Sequence, residues 1–459
     1  MRFCLFLVII NIMKNLIEKI IPNFLFIRKI IPNFLLNWYH FLLAYLGAFI
    51  YGFPTSKIIV IGISGTRGKT TTANFIWSCL NSAGYKTGLT STANIRIEKK
   101  EILNPYHMTM PGRFVLQRLL SQISKAGCQY AIIETPSEGI EQYRHKGINY
   151  DIVVFTSLYP EYLKVHNWDF ERCKRKNLEI FTSLKKQKRK VINGKKIPKI
   201  IVVNNDDSYK DIFIQCEADK KITYSINSLS DFKAESIKIN SDDVSFFVGQ
   251  EEYKLNILGE FNVYNALAAI AVSSILGIDN NLIKKGLENL PGVPGRMEKI
   301  DIGQGFSVFV DYAHDPKSLE AILKTAKAIK KPESKIILLL GAEGGGRDKT
   351  KRPIMGEVAA KNADFVIVSN VDPYDDDPKE ILEDVAQATE KAGKIINKDL
   401  FVIEDRREGI KKAISLAKEN DIVLITGKGA EQTMIIGSKE IPWDDREIVK
   451  EELEKLYQL

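Results

Sequence analysis

The sequence predicts an α/β protein: two parallel-sheet domains behind an apolar, helical N-terminal arm. Three observations lead there. From Lys57 onward, short β-branched runs alternate with helical stretches, as in a parallel sheet with crossover helices. A proline- and glycine-rich segment, Leu290-Pro-Gly-Val-Pro-Gly-Arg296, divides two such series. Residues 35–53 contain no charge. The expected domains are therefore 1–54 for the arm, 55–293 for the first sheet and 294–459 for the second. A chain of 459 residues has ample length for two cores.

Composition narrows the classes further. Hydrophobic residues at 45% and charged residues at 27% exclude a disordered or fibrous chain. Five scattered cysteines (Cys4, Cys79, Cys128, Cys173, Cys216) form no CxxC pair. That argues against a disulfide scaffold or structural zinc and fits a reducing, cytoplasmic setting. The net charge is +8, and residues 1–57 hold six basic groups against Glu18 alone. The excess left for the rest of the chain is too small to indicate a nucleic-acid partner.

In the arm, residues 3–13 are apolar but too short to span a bilayer, and no small-residue cleavage site follows them. Met13 is a second candidate start. A repeat at an offset of ten follows, Lys19-Ile-Ile-Pro-Asn-Phe-Leu25 and Lys29-Ile-Ile-Pro-Asn-Phe-Leu35. Two readings stay open: a helix docked on the body of the protein, or an anchor at the membrane's inner surface. The anchor would set its aromatics at the interface and its lysines beside anionic lipid.

The first domain begins with a strand at Ile58–Ile63, then Gly65-Thr-Arg-Gly-Lys-Thr-Thr71, then a helix to Ala83. Gly65 and Gly68 let the backbone curl, so that the N–H groups of Thr66, Arg67 and their neighbours converge on phosphate oxygens. Lys69 adds a full charge, and the hydroxyl of Thr70, beside Thr71, is a magnesium ligand in such loops. The commoner phosphate-loop spacing needs glycine at 63, where this chain has Ile63. Further buried strands are expected at Tyr130–Glu134, Asp151–Thr156 and Ile200–Asn204. The basic stretch Lys185–Lys199 reads as a solvated loop. The second domain should place strands near Val308–Asp311, Ile336–Gly341, Phe365–Ser369 and Ile422–Thr426.

The short glycine loop resembles that of the Mur ligase family, which includes the folylpolyglutamate synthetases. The resemblance runs from Lys57 to Leu459 and is nearest the muramoyl-tripeptide synthetase branch. It implies a P-loop ATPase-like central domain and a Rossmann-like C-terminal domain, with ATP and Mg2+ as cofactors. The substrates it implies are a muramoyl-peptide and an amino acid, joined through an acyl phosphate. Within His107-Met-Thr-Met-Pro-Gly112, Thr109 and Pro111 match a substrate-binding turn. Glu134, in Glu134-Thr-Pro-Ser-Glu-Gly139, falls on a magnesium-binding glutamate, and a carboxylate beside a triphosphate needs a cation. Ser137 and Arg144 match substrate contacts. His166 ends Thr156-Ser-Leu-Tyr-Pro-Glu-Tyr-Leu-Lys-Val-His166 and takes the place of a second-metal ligand.

The family also carries a carbamylated lysine ten residues after that histidine, which is Lys176 here. Counting back from Phe181 lands on Asn177 instead, and Lys176 is the favoured reading. Asn262 and Asn265, in Leu258-Gly-Glu-Phe-Asn-Val-Tyr-Asn265, match asparagines near the nucleotide, where amides suit adenine's edges. Arg296, with Asp311 and His314 of Asp311-Tyr-Ala-His-Asp-Pro316, matches groups that reach ATP on domain closure. The expected catalytic set is thus Lys69, Glu134, His166, Lys176 and Arg296.

Arg347, in Gly341-Ala-Glu-Gly-Gly-Gly-Arg347, should lie near the incoming amino acid. Gly427 and Glu431 belong to Gly427-Lys-Gly-Ala-Glu431, where Ala430 replaces the usual histidine. Trp443-Asp-Asp-Arg-Glu447 matches a family D-D-R-E. Where the family reads diaminopimelate with D-N-P-R, this chain has Val371-Asp-Pro-Tyr374. Asp372 replaces the asparagine and Tyr374 the arginine, which predicts a cationic side chain such as lysine. Only the arm stands where the family has a UDP-gripping domain, which suggests a lipid-linked acceptor. Three rival readings remain: a lipid II-amidating relative using ammonia or glutamine, a folylpolyglutamate synthetase-like ligase, and a non-catalytic nucleotide-binding scaffold. The D-Y-A-H, G-K-G-x-E and D-D-R-E motifs weigh against the second, and only the substitutions in Ser157–Lys164 favour the third.

Overall fold

A computed structural model describes residues 33–160 and 166–457. The apolar run 3–13, Met13, most of the ten-residue repeat, and Glu161, Tyr162 and Lys164 lie outside the described residues.

The first domain is built on an eleven-stranded sheet. In chain order its strands are β1 (Ile59–Ser64), β2 (Thr87–Thr90), β3 (Asn94–Ile97), β4 (Lys100–Leu103), β5 (Tyr130–Glu134) and β6 (Ile152–Phe155). Then come β7 (Ile200–Asn204), β8 (Lys220–Ser225), β9 (Phe232–Ile239), β10 (Val244–Val248) and β11 (Glu251–Leu255). The spatial order is β11-β10-β9-β8-β7-β6-β1-β5-β2-β3-β4, parallel from β9 to β2 and antiparallel at both rims. Central strands are buried on both faces, so β5 and β7 read as unbroken apolar runs. Strand β9 is half exposed and alternates, so no such run announces it.

Helices cover both faces of this sheet. On one side lie α2 (Lys69–Ser82), α6 (Phe261–Ile275) and α7 (Asn280–Glu288), packing Phe75, Cys79, Leu267 and Ile283. On the other lie α3 (Arg113–Lys125), the short α4 (Ser137–Glu141) and α5 (Phe170–Leu184), packing Leu120, Ile140 and Phe181. Strand β1 sits mid-sheet between β5 and β6, with Ile63 level with Glu134 and Ser64 level with Phe155. The carboxyl ends of three neighbouring strands therefore open at one place, where ligands bind in sheets of this kind.

The second domain holds a six-stranded sheet of β12 (Glu298–Ile300), β13 (Ser307–Asp311), β14 (Ile336–Leu340), β15 (Phe365–Val368), β16 (Leu400–Val402) and β17 (Ile422–Thr426). Its order is β12-β13-β17-β14-β15-β16, with only β12 antiparallel. Helices α8 (Pro316–Ile329), α9 (Lys351–Asn362) and α10 (Pro378–Lys391) cover one face. Helices α11 (Arg406–Leu416) and α12 (Asp445–Tyr457) cover the other. Asp315, Asp377 and Asp405 cap the N-termini of α8, α10 and α11 with their carboxylates.

The D-D-R-E segment is a staple. The buried guanidinium of Arg406 forks onto Asp445 at 2.6 and 2.8 Å and donates to Asn370 O and Thr426 O. This ties α12 to the strand ends beside the site.

One expectation is overturned. The stretch Lys185–Lys199 is not a wholly solvated loop: it folds into a small hairpin, and Lys190 and Lys199 are buried. Both ammonium groups pair with the fully buried Asp151 just ahead of β6, Lys199 at 3.0 Å. A buried carboxylate needs cations, and the hairpin supplies two.

The arm's described part is helix α1 (Asn33–Ile50). Small residues let it sit close on α3: Ala44 and Ala48 are buried, and Gly47 lies beside Gln117. Its other face leaves Trp38, Leu42, Tyr45 and Phe49 exposed, Phe49 to 70%. No helix among the described residues is long and apolar enough to cross a membrane.

Candidate active site

The site begins at the end of β1. Gly65 and Gly68 have φ of 134° and 80°, and a Cβ on either would lie 2.3 Å from a side-chain oxygen, of Thr156 and Asn265 respectively. Only glycine fits such a turn. The loop is braced from behind by the segment after β6, where Ser157 O accepts from Thr66 N and Ser157 Oγ from Arg67 N. Lys69 Nζ donates to Thr66 O at 2.8 Å, so it lies back over the loop. Thr70 Oγ1 donates to Glu134 Oε2 at 2.9 Å. Glu134 also accepts from the backbone N–H and the hydroxyl of Thr92.

Asn262 and Asn265 are hydrogen-bonded within the protein directly beneath the phosphate loop. Asn262 Nδ2 donates to Leu258 O, and Asn265 Nδ2 donates to Asn262 Oδ1. Asn265 Oδ1 accepts from Thr72 Oγ1 and packs under Gly68. Both side chains are buried, and they brace the phosphate loop from below.

The second domain contributes from above. Arg296 Nη2 donates to Thr70 Oγ1 at 3.3 Å, and its guanidinium lies 4.4 Å from the Tyr312 ring. Asp311 holds this hinge by accepting from Met297 N and Ala313 N, and burial raises its carboxyl's pKa. His314 Nδ1 pairs with Tyr312 O, and burial keeps its ring neutral at lower pH than usual. Gly295 (φ 63°) meets Ala430 so closely that a Cβ would lie 2.1 Å from its backbone nitrogen.

His166 is fully buried, with Nε2 2.9 Å from Ser137 Oγ and Nδ1 3.3 Å from Glu141. The structure does not bring Lys176 to Glu134. Its ammonium pairs with Glu179 at 3.3 Å and faces Glu141 at 3.9 Å. Asn177 is the buried neighbour, and its Oδ1 accepts from Ser64 Oγ at the end of β1. One residue turns a helix face by about 100°, so the register set by Phe181 is the one the packing obeys. Lys176→Ala is therefore expected to keep turnover within about twofold. Added bicarbonate should leave both proteins unchanged; a bicarbonate response lost in the variant would restore the carbamylation reading.

Beyond Glu134 lies a cleft of about 260 Å³ between the two domains. Thr109 lines it and hydrogen-bonds Thr92 at 2.8 Å, while Pro111 is buried behind. Arg144 lines it too, donating to Met110 O and Gln142 Oε1. Arg347 spans the cleft between Glu138 at 3.3 Å and Glu343 at 3.2 Å, and these carboxylates raise its pKa. Burial works to raise the Glu343 carboxyl, yet Lys351 and Arg347 bring it down to about 2.

At the far end, buried Lys428 donates to Asp372 at 2.8 Å and Glu431 at 2.9 Å. Asp372 also accepts from Ile435 N, so its carboxylate is largely spoken for. Burial raises the Glu431 pKa. Tyr374 (φ 52°) lays its ring over Gly345, and burial pushes its hydroxyl up to about 12. Gly427 (φ 115°) turns the chain at the end of β17 and does not line the cleft.

Thr92, Glu138 and Glu343 were not singled out from the sequence. Thr92 and Glu343 stand in loops and Glu138 in the first turn of the short α4, and the role of each depends on which strand end it faces. The weak signal was a glutamate within the glycine-rich run that begins at Gly341.

Two family models match, the Mur ligase middle domain over residues 63–273 and the Mur ligase, glutamate ligase domain over residues 295–429. A UDP-N-acetylmuramoyl-L-alanyl-D-glutamate–2,6-diaminopimelate ligase from Caldanaerobacter subterraneus is 38% identical over 413 residues, covering 89% of this chain and 81% of the relative. The chain is a Mur ligase. As such it is an ATP-dependent, amide-forming, ADP-producing enzyme of peptidoglycan synthesis.

A solved 2,6-diaminopimelate ligase of this family aligns with a TM-score of 0.58 at 28% identity, covering 87% of this chain and 79% of that one. The folylpolyglutamate synthase of Mycobacterium tuberculosis shares the fold, with a TM-score of 0.67 at 18% identity over 91% of this Mur ligase and 95% of its own chain.

Proposed function

We propose that this Mur ligase extends a muramoyl-peptide by one amino acid, preferring a cationic side chain. One observation carries the reading: the phosphate loop and the cleft share Thr92. It donates to Glu134, which Thr70 also contacts, and it lines the cavity that holds Arg347 and Glu431. An acceptor carboxylate held there can attack the γ-phosphorus of ATP, with ADP leaving and an acyl phosphate forming. The amine of the incoming amino acid then attacks the acyl carbon and inorganic phosphate departs. Lys69 and Arg296 lie where charge spreads over the transferring phosphoryl group. The cleft, roofed by the second domain, excludes competing water.

Thr70 Oγ1 and the Glu134 carboxylate form an all-oxygen donor pair 2.9 Å apart, which fits Mg2+. The ion would neutralise phosphate charge.

Cleft-lining charges support the amino-acid preference. Glu138, Glu343 and Glu431 line the cleft with Arg144 and Arg347, and Glu431 shares Lys428 with Asp372 at the far end. Lysine brings one net positive charge and diaminopimelate none. The relatives' diaminopimelate ligases are matched in fold, but Tyr374 offers a hydroxyl and no guanidinium fork for a second carboxylate. With both amino acids at equal concentration, lysine should dominate the product by about tenfold, identified by mass. Predominant diaminopimelate incorporation rejects this reading.

We further propose that α1 rests on a lipid surface. The exposed aromatic face of Trp38, Tyr45 and Phe49 supports it, together with the basic excess of residues 1–57. Sedimentation with phosphatidylglycerol vesicles should capture the full chain, and Phe49→Ser should weaken capture about tenfold. Phosphatidylcholine vesicles should capture it poorly. Failure to bind anionic vesicles would leave α1 a structural brace.

A further inference from the structure

Arg67 lies in the phosphate loop of the first domain, yet the second domain holds its side chain. Nη2 meets Asp315 Oδ1 at 2.5 Å, and Nε lies 3.3 Å from Asp315 Oδ2 and 3.1 Å from Ser318 Oγ. The guanidinium also stacks 4.2 Å from the Tyr159 ring. Asp315 is at the same time the N-cap of α8, accepting from Lys317 N and Ser318 N. The guanidinium is thereby fixed relative to a whole helix. Burial works to raise the Asp315 carboxyl, but Arg67 holds it well below the usual carboxylate range.

One nitrogen is left over. Arg67 Nη1 is buried and has no hydrogen-bond partner among the described residues. An orphaned guanidinium nitrogen is unfavourable until an acceptor arrives, and an anionic oxygen suits it best. Arg67 is two residues from Lys69, in the loop whose backbone amides gather phosphate.

We propose that Asp315 and Ser318 are positioning residues that make Arg67 a closure-dependent phosphate ligand. The second domain turns the guanidinium, and Nη1 donates to an anionic oxygen of the bound nucleotide's polyphosphate. In an open form only the Tyr159 ring of its own domain stays against Arg67, and the hydrogen bonds that aim the guanidinium are lost. Closure and nucleotide binding then favour each other by the same factor. The inference rests on reading the loop as the ATP site.

The test is ADP binding to the full-length protein by calorimetry, with Arg67→Gln, Asp315→Asn, their double variant and Lys69→Ala. Asparagine caps helices as well as aspartate, so Asp315→Asn keeps α8. Each Arg67 or Asp315 single variant should weaken ADP about tenfold, and the double variant no more than Arg67→Gln alone. The wild type should lose affinity with added salt more steeply than Asp315→Asn. Additive losses, or unchanged affinity in Arg67→Gln while Lys69→Ala loses binding, would overturn the proposal and leave the ATP site intact. Unchanged binding in Lys69→Ala would bring down the ATP reading itself.

Discussion

Lys69→Ala is expected to lower turnover by about a hundred- to a thousandfold, the scale of losing one electrostatic donor to a transferring group. Lys69 is the cation at the start of α2, and its ammonium rests on Thr66 O, within the loop itself. From there a side-chain rotation takes it to a phosphate. Its hydrogen bond is to a neighbouring backbone carbonyl and not to the core, so the variant should melt at the wild-type temperature. Phosphate release with muropeptide acceptor and amino acid present measures the loss. Near-normal turnover in a folded variant would remove this loop from the reaction.

The largest effect on stability is expected from Asp151→Ala, a loss of about 3–5 kcal/mol. The substitution leaves the ammonium groups of Lys190 and Lys199 buried with no carboxylate, and it takes an acceptor from Val60 N. Burial already lowers the Lys190 pKa to about 8, with Asp151 opposing that shift. Without Asp151 it should fall further. The folded variant then binds fewer protons than the folded wild type below that value. Its deficit should therefore shrink as the pH rises through about 8, where Lys190 sheds its proton in the wild type as well. Urea unfolding on either side of that pH measures both the deficit and its slope.

The two predictions differ in how visible their residues are in the chain. Lys69 stands in a glycine loop between a β-branched run and a helix, and local chemistry marks it. Lys190 and Lys199 stand in a stretch so rich in lysine that solvation is the natural reading. Their burial depends on Asp151, some forty positions earlier, being enclosed beneath β6 and β7. The loss that Asp151→Ala should cause belongs to the tertiary structure alone.

Within the site the same division holds. Thr70 and Glu134 were legible because each ends a buried strand or begins its helix, and parallel pairing of β1 with β5 sets those ends side by side. Lys176 against Asn177 was not, since two countings of the sequence differ by one residue and only packing against β1 chooses a helix face. Asp372 was read as a free carboxylate for an ammonium. The fold gives it Lys428 as well, and Glu431 shares that partner.

By itself, the sequence determined the α/β class, the phosphate loop, the central strands and the family. These depend on interactions close along the chain: apolar runs, glycines at positive φ, helix starts. Tertiary structure alone decided that Arg67 answers to Asp315, that Asn262 and Asn265 brace the loop, and that Lys428 joins Asp372 to Glu431. Those depend on Coulomb and hydrogen-bond contacts between groups up to about two hundred and fifty residues apart. Their strength is set by distance and burial in space, which no local pattern records.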